Sequence, residues 1–448
     1  MDKPKEDNVT VTSSSFDQML PRWDRTNAVL GGTDALRNAG ETYLPKHEGE
    51  EPRRYYERLH SNVLFNFSEL TLGSWVGRAF AQPIEFSDDF SQEVLPLTDD
   101  IDLQGNALDI VARAWFRDGV AKAFSHVLVE HPRIDRAGRT AADDLRENVR
   151  PYWVLIPPEN LTFAETARIN GREVLTHVRI KEEVVGRDGW AETSFVQYRV
   201  LDRVLVQVRT DGSIAPEDEQ IGLLDYRVRV QIWREAVLGD KKKSQTEWAI
   251  AEEFFMDIDE IPLVTFYSAK DGLMLGKSPL LDQIDLNVRH WQSTSDQIAI
   301  LTVARFPILA GSGVDQETKE GEQVIGPYHG LFTTDPTGRF YYVEHTGAAI
   351  AAGETELKNI EERGKSYGAE FMKVRPSRET ATARLQDSSE ATSPLQDAIG
   401  RFNDALQTAF WYTAKWMGVE LAGTVKLPDT LSADAAEAET KDNEPAAQ

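Results

Sequence analysis

The sequence contains no cysteine among its 448 residues. This absence excludes disulfide bonds, thiolate nucleophiles and cysteine-ligated zinc sites, and it fits folding in a reducing cytosol. Long apolar runs are absent too, since none approaches the roughly 18 residues of a membrane-spanning helix. The first fifteen residues are polar and lack the apolar segment of a secretory signal. We therefore expect no membrane contact and no secretion.

Basic residues are also few in comparison with acidic ones. The chain has 49 lysines and arginines against 74 acidic residues, which gives a formal net charge of −25. A protein that grips nucleic acid over a broad surface is basic, because phosphate contacts need lysine and arginine. The balance indicates either an ordinary acidic protein or a surface past which DNA moves without sticking. The length allows two to four domains, and 41% of the residues are hydrophobic, enough for a sizeable core.

Signatures of catalysis are also missing. Residues 272–278 come closest to a P-loop, but only three residues separate Gly272 from Gly276, where a P-loop has four. The register that aligns Gly276, Lys277 and Ser278 places Asp271 at the first glycine position, where its carboxylate would repel phosphate. We instead expect Ser278 to cap a helix that begins at Pro279.

Histidines offer no metal site either. His126 and His131 flank a short apolar segment that reads as a strand. Five residues apart on a strand, they point to opposite faces and cannot share a metal ion. No Gly-x-Ser-x-Gly element is present. We expect no enzyme activity, no cofactor and no metal.

Changes in residue periodicity divide the chain into segments. Alternating valines at 204–208 and 228–232 predict strands, whereas the later half shows helical spacing. The predicted order is a disordered N-terminus at 1–15; a region at 16–260, helical over 16–130 and β-rich over 150–256; a strand and a helix within 261–303; an irregular segment with short strands such as 339–343 at 304–346; a helix at 347–372; a basic loop at 373–381; a long helix at 382–418, kinked or restarted at Pro394; and an acidic disordered tail at 419–448.

Three apolar stripes mark the helices of this later half. Gly364 lies on the second stripe, so we expect a close helix–helix approach there, although a tolerated imperfection is the alternative. The first stripe consists of Leu281, Ile284, Val288 and Trp291; the second of Leu357, Ile360, Gly364, Tyr367 and Phe371; the third of Leu395, Ile399, Phe402, Leu406 and Trp416.

The order of these parts resembles that of tailed-bacteriophage portal proteins, the head-to-tail connectors. The segment 261–267 is followed by helix, irregular insert, helix, basic loop and long helix. Short segments also resemble the family, and in particular a branch of uncharacterised portal-like phage proteins. They are Arg37–Pro45, His126–Pro132, Arg150–Tyr152 with Pro157–Asn160, and Glu379–Ala383. The resemblance covers about residues 16–418.

The resemblance implies an α+β fold of known parts. Residues 16–260 would be a helical and β-rich wing, 261–303 and 347–372 would carry the two stem helices, and 304–346 would be a small α/β clip. Residues 373–381 would be the tunnel loop and 382–418 the long kinked wing helix. Many portals continue into a helical crown, which the 419–448 tail indicates to be absent or reduced here.

The resemblance also implies a function. The chain would form a homo-oligomeric ring, usually a dodecamer, at one capsid vertex of the virion. Double-stranded DNA would be packaged and ejected through its axis. Expected partners are other copies of the chain, the large terminase, the head-tail adaptor, the major capsid protein and, as an optional further partner, a scaffolding protein. Assembly would take place in the host cytoplasm.

The DNA channel is expected to be lined by one face of the second stem helix and by the tunnel loop. That face, opposite the apolar stripe, carries Lys358, Glu362 and Lys365, and a plain solvated helix face is the alternative. Lys373, Arg375 and Arg378 would add a sparse basic ring at the constriction.

Two other functions stay open at this stage. A different phage head or neck protein, such as a minor capsid or adaptor component, would lack long stem helices. A nucleotide-driven DNA motor would hydrolyse ATP, which the departure from the P-loop pattern disfavours.

Overall fold

The computed structural model describes residues 8–134, 140–209, 213–215, 223–238, 245–305, 308–312, 336–343, 347–366 and 381–428. The fold is mixed α+β, as predicted. Within these ranges no helix has the length and apolar character to cross a membrane. The helices are α1 (Ser14–Leu30), α2 (Gly32–Ala39), α3 (Pro52–Ser61), α4 (Phe67–Ala79), α5 (Leu108–Lys122), α6 (Ala141–Arg146), α7 (Leu281–Arg305), α8 (Ala348–Ser366) and α9 (Ala381–Met417).

The strands form antiparallel pairings throughout the described residues. A five-stranded sheet contains β4 (Leu161–Ile169), β5 (Arg172–Asp188), β6 (Ala191–Gln207), β7 (Leu224–Leu238) and β8 (Gln245–Met256) in sequence order, and a three-stranded sheet has the order β3 (Tyr152–Ile156), β2 (Phe124–Glu130), β9 (Leu263–Tyr267). Three two-stranded pairs join β1 (Glu85–Phe86) with β14 (Val425–Lys426), β10 (Lys270–Gly272) with β11 (Leu275–Gly276), and β12 (Ile308–Ser312) with β13 (Arg339–Val343).

The chain divides into two compact units. The first contains Met1–Asn27, Glu69–Asp282 and Val374–Gln448, and the second contains Ala28–Ser68 and Gln283–Lys373. The second unit therefore holds most of α7, all of α8, and α2 and α3. The first holds the sheets β4–β8 and β3–β2–β9 together with α5 and α9.

An aromatic cluster forms the core of the first unit. All seven residues of β2 are buried, and α5 and α9 pack against its sheet. Phe402 on α9 is fully buried, and its ring centroid lies 5.0 Å from that of Phe266 on β9 and 5.2 Å from those of Trp115 and Phe116 on α5. Helix α9 therefore packs against the three-stranded sheet through this aromatic cluster.

Both chain ends depart from the sequence prediction. The predicted disorder at 1–15 is wrong for residues 8–15, since Val9 is buried and the Ser13 N–H donates to the Thr162 carbonyl over 3.0 Å. The predicted disorder at 419–448 is wrong for residues 419–428. There Val425 and Leu427 are buried, and β14 pairs with β1. Residues 1–7 and 429–448 lie outside the described part.

Helix boundaries also shifted. Helix α7 begins at Leu281, two residues after the predicted start at Pro279. The Ser278 hydroxyl donates to the Val120 carbonyl over 2.8 Å and accepts from the Leu280 N–H over 3.1 Å. These contacts hold Ser278 in a turn before the helix. Farther along, α9 is continuous through Pro394, so the alternative of a helix restart there is wrong.

Candidate functional site: the antiparallel helix pair

Helices α7 and α8 lie antiparallel in the second unit. The Gln283 amide donates to the Gly364 carbonyl over 3.2 Å, Arg289 pairs with Glu356 at 2.6 Å, and the Gln297 amide donates to the Ile350 carbonyl over 3.1 Å. Each step of six to eight residues towards the C-terminus of α7 is thus matched by a step of similar length towards the N-terminus of α8. The pair has one register along almost the whole length of α8.

The face of α7 that meets α8 is polar. Gln283, His290 and Gln297 are buried and lie seven residues apart, so they form one row on the helix. His290 lies 3.4 Å from Glu361, and burial lowers its pKa although Glu361 acts in the opposite direction. Ser293 adds a hydroxyl contact to Glu356 at 3.2 Å. Buried polar groups in such a row need their partners, which fixes the register.

This polar row is absent from the predictions made from the sequence. The recurrence of Gln, His and Gln every seven residues could have indicated it, but the neighbouring apolar stripe is the stronger pattern. The structure buries Leu281, Ile284, Trp291, Ile360 and Gly364, and leaves Val288 and Leu357 half-buried. Tyr367 and Phe371 lie outside the described residues. The role of these nine residues in stem packing stays a prediction.

A second face of α7 is anchored to the segment 28–68. The Asn287 side chain bridges two backbone groups of that segment, since its amide donates to the Phe65 carbonyl and its oxygen accepts from the Ser68 N–H. The Asn62 amide donates to the Trp291 carbonyl over 2.8 Å. Both asparagines are fully buried. Helix α7 is therefore held from two sides by directional hydrogen bonds.

Arg58 makes four hydrogen bonds in this region, one of them to α7. Its guanidinium donates twice to Glu50 over 2.8 Å, once to the Pro45 carbonyl and once to the Ser295 hydroxyl on α7. The Arg58 and Glu50 side chains are only 6% and 9% exposed. These hydrogen bonds hold the pKa of Glu50 down at about 2. The pair is a buried ion pair with nearly all its donors used.

Two glycines of α8 permit close packing. A Cβ added at Gly353 would lie 2.0 Å from the Gln297 side-chain oxygen, and one added at Gly364 would lie 3.2 Å from the Phe67 ring. At Gly364 the approach anticipated from the sequence is present, with the Phe67 ring at the start of α4 as the neighbour. Gly353 was not anticipated, and its hydrogen atom leaves room for the Gln297 bond to Ile350.

The predicted channel residues are only partly described. Lys358 and Glu362 are exposed on α8. The Lys365 side chain and the residues Lys373, Arg375 and Arg378 lie outside the described part. The structure therefore places Lys358 and Glu362 on one helix. The channel assignment stays a prediction for all six residues.

The P-loop-like segment has a different geometry from a phosphate cradle. Residues 270–276 form the β10–β11 hairpin, and a Cβ at Gly276 would lie 2.3 Å from the Ala269 carbonyl. The Gly276 carbonyl accepts from Arg22 over 3.0 Å, and Lys277 pairs with Asp282 at 2.9 Å. Backbone and lysine are thus engaged within the first unit, which argues against a nucleotide site here.

His126 in β2 and His131 directly after it lie in different surroundings. His126 is fully buried, contacts the Thr265 hydroxyl at 2.9 Å and has a pKa lowered to about 3 by burial. The His131 ring stacks on Trp416 with centroids 5.5 Å apart. Across the described ranges, no cluster of three or more histidine and acidic side chains is arranged to hold a metal ion.

Comparison with known proteins gives limited matches. A family model described as a domain of unknown function (DUF4055) matches residues 279–417, from two residues before α7 to the end of α9. No curated protein matches the chain. The solved structure titled "Virion of native gene transfer agent (GTA) particle" is similar at 12% identity and a TM-score of 0.40, over 91% of this chain and 92% of that chain.

Two further solved structures are similar at the same level. "Neck of native GTA particle computed with C12 symmetry" shares 9% identity at a TM-score of 0.39, over 85% of this chain and 86% of the other. "Neck of empty GTA particle computed with C6 symmetry" shares 11% at 0.39, over 83% of each. At TM-scores of about 0.4 these likenesses carry no conclusion about fold or function.

Proposed function

We propose that this chain is a portal-type structural subunit of a phage-like particle. The observation that carries the proposal is the succession of elements after β9. An antiparallel helix pair, α7 and α8, is connected through the β12–β13 pair and is followed by α9, a helix of 37 residues. This is the order of first stem helix, clip, second stem helix and long wing helix in the portal family, which the sequence resembles.

In this role the chain forms a homo-oligomeric ring of about twelve copies at one capsid vertex of the virion. Double-stranded DNA passes along the axis, and the clip at 304–346 receives the terminase during packaging and the head-tail adaptor later. The ring wall touches the major capsid protein. No chemical step is required of the chain, so its residues act by position and charge.

Charge distribution supports a channel that guides DNA without holding it. The chain is strongly acidic overall, while Lys373, Arg375 and Arg378 lie within one six-residue segment, 373–378, that follows α8 in the sequence. Ring symmetry repeats these cations around the axis, so a few per chain suffice to centre the duplex. The acidic remainder repels phosphate, which keeps DNA mobile.

Electron microscopy tests the ring directly. The purified full-length chain, viewed in negative stain and sized by light scattering, is expected to give rings with a central channel. A monomer at every concentration, with no rings, would count against the proposal. DNA-dependent ATP hydrolysis by the pure chain would favour the motor alternative.

Charge reversal tests the channel assignment. The variant with Arg375→Glu and Arg378→Glu is expected to assemble into rings as the unchanged chain does, because these residues are assigned to the lumen. Genome-filled particles in a complementation assay are expected to fall about tenfold or more, since repelled phosphates raise the barrier to DNA passage. Lys241→Glu with Lys243→Glu, between β7 and β8, is the matched control. Failed assembly of the arginine variant alone would contradict the lumen assignment.

A further inference from the structure

A groove runs along one flank of the α7–α8 pair. It has a volume of about 580 Å³ and lies entirely within the second unit. Small or apolar side chains line it, among them Ala352, Thr355 and Leu286, together with two arginines, Arg289 from α7 and Arg363 from α8. Leu286 is half-buried, and Ala352, Thr355 and both arginines are exposed. Glu356 also lines the groove and pairs with Arg289. The flank is therefore a depression bordered by two cations and one anion.

The other flank of α8 carries the opposite charge. Glu356 contacts Arg289, whereas Glu361 contacts His290, so these two glutamates lie on either side of the line along which α7 meets α8. On the Glu361 side, Glu354 lies one heptad earlier, and half-buried Leu357 lies between the two glutamates. This flank is a ridge with an apolar centre and two acidic residues, and exposed Lys358 lies beside them.

The charges on the two flanks occur at matched heights. Arg289 marks the level of Glu356, with which it pairs at 2.6 Å, and Arg363 lies seven residues farther along α8. Glu354 and Glu361 are also seven residues apart. At about 1.5 Å per residue, the two arginines of the groove and the two glutamates of the ridge are each about 10.5 Å apart along the axis, and the two sets differ in height by only about 3 Å.

We propose that the groove docks the Glu354–Leu357–Glu361 ridge of a second copy of this chain. Arg289 then meets Glu354 of the neighbour, Arg363 meets its Glu361, and Leu357 packs over the small residues between them. The occupant is another copy because the complementary charges, at the same spacing and height, lie on the opposite flank of the same helix pair.

This pairing uses two different surfaces of the chain. Such a heterologous contact leaves one free flank at each end of any dimer, so it continues from copy to copy until it closes into a ring. A two-fold contact would instead place groove against groove and bring the arginines together. The inference rests on the proposed ring and identifies the surfaces that build it.

Charge reversal and its compensation test the docking. The full-length variants Arg289→Glu and Glu354→Arg are each expected to raise the protein concentration for half-assembly about tenfold, since each places like charges in contact at every interface. Mass photometry across a dilution series measures it. The combined variant restores an opposite-charge pair and is expected to assemble at nearly the original concentration.

The controls separate folding and the proposed function from the docking. Arg54→Glu makes the same charge change at an exposed position of α3 and is expected to assemble normally. Circular dichroism melting curves should be equal for all variants, because exposed charge pairs such as Arg289–Glu356 contribute little to stability. If the unchanged chain forms rings and the single reversals leave assembly untouched, or the combined variant fails to recover, the docking surface is wrong and the ring stands. An unchanged chain that never assembles overturns both.

Discussion

Replacing Arg58 with methionine is expected to destabilise the second unit by about 3 kcal/mol, because it leaves the Glu50 carboxylate buried without its partner. Four hydrogen bonds are lost, including the one to Ser295 on α7. Methionine keeps much of the aliphatic volume, so the effect reports on charge and hydrogen bonding more than on packing. Hydrogen exchange followed by mass spectrometry should show faster exchange in peptides of α7, with peptides of β2 unchanged.

Acid titration gives the same substitution a second signature. Arg58 holds the pKa of Glu50 at about 2 in the folded chain, below the ordinary value of 4.5. A carboxyl group with a lowered folded pKa contributes stability above pH 4.5 that is lost as pH falls from about 4.5 to about 2. Arg58→Met removes this contribution, so the second unit's stability should vary less with pH in that window.

Two further variants decide the cause. Arg53→Met removes an exposed ion pair with Glu57 on the same helix, where the side chains are 88% and 60% exposed, and should cost less than about 0.5 kcal/mol. Adding Glu50→Gln to Arg58→Met removes the stranded charge and should recover most of the lost stability. Equal costs for Arg53→Met and Arg58→Met would refute the buried-pair account.

Sequence periodicity located the helices but not their contacts. The spacing of Ile284 and Trp291 follows from α-helical geometry, so the course of α7 could be predicted from local pattern alone. The register of α7 against α8 could not, because Gln283, His290 and Gln297 are polar and read as an exposed face. Their burial depends on partners that come from α8, such as the Gly364 and Ile350 carbonyls, which lie more than fifty residues away in sequence.

The chain ends show the same limit of local pattern. Residues 419–428 lack periodicity and precede an acidic tail, so their composition indicates disorder. In the structure Asn403 and Gln407 of α9 satisfy backbone groups there, and the Leu427 N–H donates to the Asn403 side chain over 2.7 Å. Side-chain amides on a helix thus order a segment whose own residues give no such signal.

For the candidate site, the sequence supplied the residues and the structure supplied their arrangement. Lys358 and Glu362 lie on the face that the sequence predicts to be opposite an apolar stripe, and both are exposed. The groove beside them was not foreseen. It depends on Arg289 of α7 and Arg363 of α8 lying on one flank, a relation between two helices that neither helix encodes by itself.

Replacing Phe402 with alanine is expected to destabilise the first unit by about 4 kcal/mol, within the range for truncating a buried aromatic residue. Phe402 is fully buried, and four aromatic rings lie within 6.2 Å of it, from α5, β9 and the residue after α4, Phe80. Its place on the apolar stripe of α9 was predicted, whereas its neighbours come from three distant segments. Urea unfolding followed by circular dichroism measures the change.

A graded series separates cavity formation from loss of ring contacts. Phe402→Leu keeps part of the volume and should cost about half as much, while Phe195→Ala truncates a ring that is 44% exposed on β6 and should cost less than about 1 kcal/mol. Because α9 packs against the sheet through this cluster, Phe402→Ala should also make the backbone amides of β2 and β9 exchange hydrogen faster. If Phe402→Ala lowers the free energy of unfolding no more than Phe195→Ala does, the aromatic cluster does not hold α9 to the sheet. The hydrogen bonds of Asn403 and Gln407 with residues 419–428 would then be what holds α9 in place.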